Sequence, residues 1–157
     1  TYLDAQSAVD YLRGRPGVDP KGLVLFGRSL GCAIAAEAAS KSQPYAVILE
    51  SPFTSIQAMA QRVYPFLPTA MLLSLVEARY DSLSKLPNVR APVMVLHGDR
   101  DLTVPIELGV ELYEAANDPK RFYRIQGADH NDTYHVGGEP YFVALREFVV
   151  SAGASGP

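Results

Sequence analysis

The chain has 157 residues, the size of one ordinary domain. Apolar residues make up 48% and charged residues 20%, a globular balance that argues against disorder. A formal charge of −3 offers neither a basic stripe for nucleic acid nor a polybasic tether for a membrane.

The single cysteine, Cys32, rules out an intramolecular disulfide, so a cytoplasmic location is expected. Apolar runs such as Ala70–Leu73 and Phe148–Val150 fall far short of the ~20 residues that span a bilayer. No basic-then-apolar leader opens the chain. It does not begin with Met, so residue 1 reads as a processed boundary.

In chain order, Asp4–Arg13 sets Ala5, Ala8, Val9 and Leu12 on one helical face, and Gly14 and Pro16 end it. Leu23–Phe26 is a short apolar run, the pattern of a strand buried on both faces. Ala-rich Gly31–Lys41 predicts a helix, and Ala46–Leu49 a second strand. Pro92–Leu96 is a third strand. Pro105–Asn117 is a helix with proline in its first turn. Arg121–Ile125 is a fourth strand, Pro140–Val150 a closing helix, and Ser151–Pro157 a tail.

Between the second and third strands lies an insert, Ser51–Ala91. Its apolar residues, including Phe53, Ile56, Met59 and Val63, are broken up by Pro65, Pro68 and Pro87. A structureless loop of that length is implausible in a domain, so a helical cap is expected. Strand–helix alternation with short connections predicts one α/β domain over residues 1–157, a mostly parallel sheet between two helical layers.

Gly27-Arg28-Ser29-Leu30-Gly31 fits G-x-S-x-G. It directly follows a strand and opens a helix of small residues, the setting this motif requires. A sharp turn there would lift the Ser29 hydroxyl clear of the sheet. The helix start would aim free N–H groups at it, that of Leu30 toward an oxyanion. The bland alternative makes Ser29 an ordinary helix N-cap.

A serine hydroxyl needs a base, usually histidine. Of the three histidines, His97 ends the third strand and reads as a local hydrogen-bonding group. His130 lies just past the fourth strand, where α/β sheets place active groups, and His135 is farther along the same loop. A carboxylate should orient the imidazole. Asp99 and Asp101 both follow the third strand. Asp101 is favoured because it sits deeper in the loop and can reach across, whereas Asp99 could cap the turn. Ser29, Asp101 and His130 thus occur in the order nucleophile, acid, base. Among the remaining candidates, Cys32 reads as core and Arg28 as a surface or elbow-stabilising group. Asp129 and Asp132 read as solvated loop residues.

The stretches Leu25–Gly31, Leu49–Ser55, Ala91–Pro105 and Gly127–Thr133 together resemble the α/β-hydrolase superfamily. More narrowly they resemble its small acyl-ester and thioester hydrolases and protein depalmitoylases. The resemblance implies Ser29 as nucleophile, His130 as base, Asp101 as acid, and no metal or organic cofactor. The substrate would be a small acyl ester or thioester, with Phe53 and cap residues lining the acyl pocket. Among those, Tyr64, Phe66 and Met71 are the best placed by type. Nothing specifies amide over ester.

Members of this superfamily carry further strands before the nucleophile strand, and a loop there donates a second oxyanion N–H. Neither has a counterpart here. Losing one oxyanion donor typically costs ~100–1000-fold in rate. The Leu23–Phe26 strand would then be an open apolar edge, and self-association into a homo-oligomer is expected through it. A catalytically weak module acting in binding is the alternative function.

Overall fold

Residues 24–28, 46–50, 93–98 and 120–125 form four parallel strands whose order in the sheet is their order in the chain. We label them β1 (Val24–Arg28), β2 (Ala46–Glu50), β3 (Val93–Gly98) and β4 (Lys120–Ile125). The computed structural model describes residues 1–63 and 80–154. Its helices are α1 (Tyr2–Gly14), α2 (Leu30–Ser42), α3 (Ile56–Val63), α4 (Ile106–Ala115) and α5 (Thr133–Ala154), with a 3₁₀ turn at Leu86–Asn88.

β2 and β3 are buried along their whole length, which is why both read as unbroken apolar runs. On one face of the sheet, Val47, Leu49, Val93 and Val95 pack against Cys32, Ala35, Ala36 and Ala39 of α2 and Leu112 of α4. On the other, Ile48, Met94 and Leu96 pack against Tyr141, Ala144, Phe148 and Ala152 of α5. The chain is therefore α/β, with helices on both faces of a parallel sheet. The small residues of α2 let it lie close to the strands.

Closeness is greatest at Gly27. A Cβ there would sit 2.7 Å from the carbonyl carbon of Gly31 and 2.8 Å from Cys32 Cα, both backbone atoms that cannot step aside. Gly27→Ala is expected to destabilise the protein by about 1–3 kcal/mol, as overpacking does. A lowered midpoint in urea unfolding at unchanged slope would register it.

Three differences from the sequence reading bear on function. β1, β2 and β3 run on to Arg28, Glu50 and Gly98, so charged residues end β1, which is half-exposed, and the buried β2. The closing helix starts at Thr133 rather than Pro140 and is kinked at Gly138, whose φ of 53° suits glycine. It also continues through Ala154, with Ala152 buried, so Ser151–Ala154 is helix and not tail. Ser151 Oγ donates to Phe148 O at 2.9 Å. Of the expected cap, α3 and the 3₁₀ turn are described. Tyr64, Phe66 and Met71 lie outside the described residues.

Candidate active site

Every parallel strand ends at the same rim, and each candidate group leaves from there. Ser29 follows β1 directly. Its backbone takes φ 50° and ψ −120°, a left-handed conformation that a serine adopts at a cost. The turn is held by two backbone bonds: Ser29 N–H donates to Glu50 O at 2.9 Å, and Cys32 N–H to Ser29 O at 2.9 Å. The Ser29 side chain makes no capping bond to α2. That removes the ordinary N-cap alternative and leaves the hydroxyl uncommitted to the helix. Leu30 opens α2, where backbone N–H groups have no carbonyl one turn earlier to receive them.

Asp101 and His130 meet. His130 Nδ1 lies 2.8 Å from Asp101 Oδ2, with both side chains nearly inaccessible. A carboxylate oxygen only accepts, so Nδ1 carries a proton, and in the neutral ring the lone pair is then on Nε2. The other oxygen of Asp101 accepts the N–H groups of Thr103 at 2.9 Å and Val104 at 2.7 Å. Burial pushes the Asp101 carboxyl up. Bonds from His97, Val104 N–H and His130 outweigh it and hold the group well below the usual carboxylate range.

His97 stands behind this pair. It is fully buried, with Nε2 2.9 Å from Val104 O and 3.4 Å from Asp101 Oδ2. Both neighbours accept, so Nε2 carries its proton. Its ring fits because residue 109 in α4 is glycine: a Cβ there would come within 3.1 Å of Cε1 and nearer still to Nδ1. His97 is thus local, as read from sequence, yet its partner is the candidate acid.

The remaining acids shape the loops. Asp99 Oδ1 accepts Gly127 N–H at 2.7 Å, tying the β3 loop to the β4 loop. Asp129 Oδ1 accepts Leu102 N–H at 2.9 Å and His130 N–H at 2.7 Å, so it binds backbone and is not merely solvated. Asp132 Oδ1 accepts Asp129 N–H at 2.7 Å. His135 stacks on Tyr134 with ring centres 4.1 Å apart and is exposed. Cys32 is buried and its thiol faces Gly27 O at 3.1 Å and Glu50 O at 3.2 Å; burial pushes its pKa up.

Two residues singled out weakly or not at all in the sequence occupy the centre of the rim. Arg28 Nη2 donates to His130 O and, at 3.1 Å, to Asn131 Oδ1. Its Nε lies 3.3 Å from Glu50 Oε1. Glu50, 2% exposed, also accepts the hydroxyls of Thr133 and, at 2.7 Å, Tyr141. Burial and the bond to Glu50 push the Tyr141 hydroxyl pKa up. The available signal was a carboxylate directly following the apolar run Ala46–Leu49, where strand register carries it to the rim.

Phe53, the described member of the expected acyl pocket, is buried against Val104 and Leu108, with Ile56 and Met59 beside it. No group of three or more potential metal-ligating residues occurs among the described residues. Among them, also, no helix is long and apolar enough to cross a membrane.

Comparison with known proteins agrees with this architecture. An uncharacterised protein of Mycobacterium tuberculosis (strain H37Rv) is 37% identical over 153 residues, covering 98% of this chain and 53% of its own. Human alpha/beta hydrolase domain-containing protein 17B is 29% identical over 148 residues, covering 94% of this chain and 48% of its own. The chain thus spans about half the length of the curated relatives it matches. The Pyrococcus furiosus esterase superposes with a TM-score of 0.73 at 21% identity, over 96% of this chain and 60% of that one, a likeness of fold. Residues 1–142 match the prolyl oligopeptidase family. The chain belongs to that family, within the α/β-hydrolase superfamily.

Proposed function

We propose that the protein is a serine hydrolase of carboxylic esters or thioesters, working as a single α/β-hydrolase domain with Ser29, His130 and Asp101 as its triad. The observation that carries this reading is the 2.8 Å bond between Asp101 and His130, in a loop that Arg28, the residue before Ser29, holds through the His130 carbonyl. In the proposed cycle Ser29 Oγ attacks the acyl carbonyl and His130 Nε2 takes its proton. Asp101 stabilises the imidazolium, and Leu30 N–H meets the oxyanion. His130 then returns the proton to the departing alcohol or thiol. Water, deprotonated by the same imidazole, releases the acid and restores Ser29.

Esters and thioesters are preferred to amides on leaving-group grounds. An alcoholate or thiolate departs more readily than an amine, so less transition-state stabilisation is asked of the site. Phe53, Tyr64, Phe66 and Met71 are proposed to line the acyl side of the site.

A fluorophosphonate is expected to modify Ser29 in the native protein, read by mass spectrometry of the labelled peptide. Turnover of a short p-nitrophenyl ester is expected to rise with pH over the span where imidazoles titrate, roughly pH 5–8. A flat profile would remove His130 from the base role. Faster release of p-nitroaniline from a prolyl peptide than of p-nitrophenol from the ester would replace ester cleavage with amide cleavage.

One observation favours a second reading, a binding or self-associating module with little turnover. Among the described residues β1 is an edge strand, its Phe26 is 49% exposed, and an apolar cleft of about 520 Å³ runs between α1, β1 and α2. Uncovered strand edges pair readily with other chains. On this reading light scattering at micromolar concentration returns a multiple of the monomer mass. A strictly monomeric result counts against association through β1.

A further inference from the structure

Three side chains, from two segments far from Glu50 in the chain, converge on its carboxylate. The β2 residue Glu50 is bonded through its side chain to Arg28 of β1, to Thr133 at the start of α5, and to Tyr141 beyond the Gly138 kink. Through its backbone carbonyl it also receives the N–H of Ser29. The carboxylate is almost wholly buried (side chain 3% exposed), while the Arg28 side chain is 41% exposed. Arg28 therefore reaches inward from the surface to neutralise a charge that the strand register forces into the interior.

The planar guanidinium has two ends in use. Nε faces Glu50, and Nη2 holds the carbonyl of His130 and the side chain of Asn131. Fixing one end fixes the direction of the other, since the group is rigid. Thr133, three residues past His130, returns to the same carboxylate and closes the loop from its far side.

We infer that Glu50 and Arg28 form a clamp that sets the position of the His130 imidazole relative to the Ser29 hydroxyl. Both are positioning residues that touch no reacting atom. The inference rests on the proposed triad. Asp101 fixes which way the imidazole points and which nitrogen carries the proton. It does not fix how far the His130 loop stands from the nucleophile turn. The clamp does, because Arg28 is covalently adjacent to Ser29 and hydrogen-bonded to His130 itself. Proton transfer falls off steeply with misplacement, and a shift of about 1 Å can cost 100-fold in rate.

The test is made in the full chain with Glu50→Gln, Arg28→Gln and the double variant. Each is assayed with p-nitrophenyl butyrate, and active sites are counted by fluorophosphonate titration. Per titrated site, each single variant is expected to lose at least tenfold in kcat with KM within twofold of the parent. The double variant is expected to be no more than twofold worse than either single one, because both remove the same link. A merely structural role would lower the number of titrated sites and the melting temperature while leaving kcat per site unchanged. Values of kcat per site within twofold of the parent in the variants overturn the clamp. Arg28 lies at the surface, so Arg28→Gln keeps this outcome readable even where Glu50→Gln fails to accumulate. Ser29→Ala, run alongside, separates the two claims. If it retains parental turnover, the triad itself is wrong. If it is inactive while the clamp variants are not, only the clamp is wrong.

Discussion

Ser29→Ala is expected to reduce ester turnover about 10⁴-fold or more, to the level set by binding and oxyanion contacts alone. Its stability should scarcely change. The hydroxyl makes no capping bond to α2, and what holds the turn is backbone: Ser29 N–H to Glu50 O and Cys32 N–H to Ser29 O. Alanine retains both bonds and faces the same positive φ of 50° as serine. The melting temperature should therefore stay within a few degrees of the parent, corresponding to about 0.5 kcal/mol. Loss of turnover together with a large fall in melting temperature would instead mark Ser29 as structural. Retained turnover would remove it from the chemistry.

Asp101→Asn carries the second large effect, about 10⁴-fold in kcat, through the tautomer of His130. Asp101 receives only donors: the N–H groups of Thr103 and Val104 on Oδ1, and the two imidazoles His130 and His97 on the side of Oδ2. An asparagine that keeps its oxygen toward Thr103 and Val104 must turn its NH₂ toward His130 Nδ1. The imidazole can accommodate that donor only by moving its proton to Nε2, where a base needs a lone pair. The same substitution leaves His97 Nε2–H facing a donor, while Val104 O continues to accept from it.

A pH signature accompanies the change. The Asp101 carboxyl is held below its ordinary value, so its folded pKa is lower than its unfolded one. Its stabilising contribution is present above the unfolded value, about pH 4, and is lost as pH falls from there toward the folded value. Parental protein should therefore lose stability more steeply below about pH 4 than Asp101→Asn does. Urea midpoints measured across that range would show it, and parallel curves would contradict the ionised assignment.

Periodicity and punctuation were enough to place all four strands and the helices packed on them. β2 and β3 are buried on both faces, as their unbroken apolar runs suggest, and Pro105 and Gly14 lie at helix ends, proline because it lacks an N–H and glycine because it costs the helix entropy. The candidate site was legible for a related reason. In a parallel sheet every strand points the same way, so residues just after successive strands must share one rim. Ser29, Asp101 and His130 were each locatable from their own strand, with no knowledge of long-range contacts.

Contacts between loops were not legible in this way. Asp129 reads as a solvated loop residue, yet it receives backbone N–H groups from two segments. His97 reads as a local hydrogen-bonding group, and only the structure shows that the candidate acid is among its partners. Ser151–Ala154 reads as a tail because its residues are small, but burial of Ala152 against the sheet extends α5 through it.

The linear order of residues by itself determined an α/β sheet, a serine at a strand-to-helix turn, and an acid and a histidine at the same rim, because alternation and strand direction are local properties. Only the tertiary structure decided that Asp101 rather than Asp99 meets His130, and that Glu50 and Arg28 join the serine turn to the histidine loop. Those pairings depend on where four loops converge in space. A buried carboxylate must find its donors among whatever groups the packing brings within about 3 Å, however distant they are along the chain.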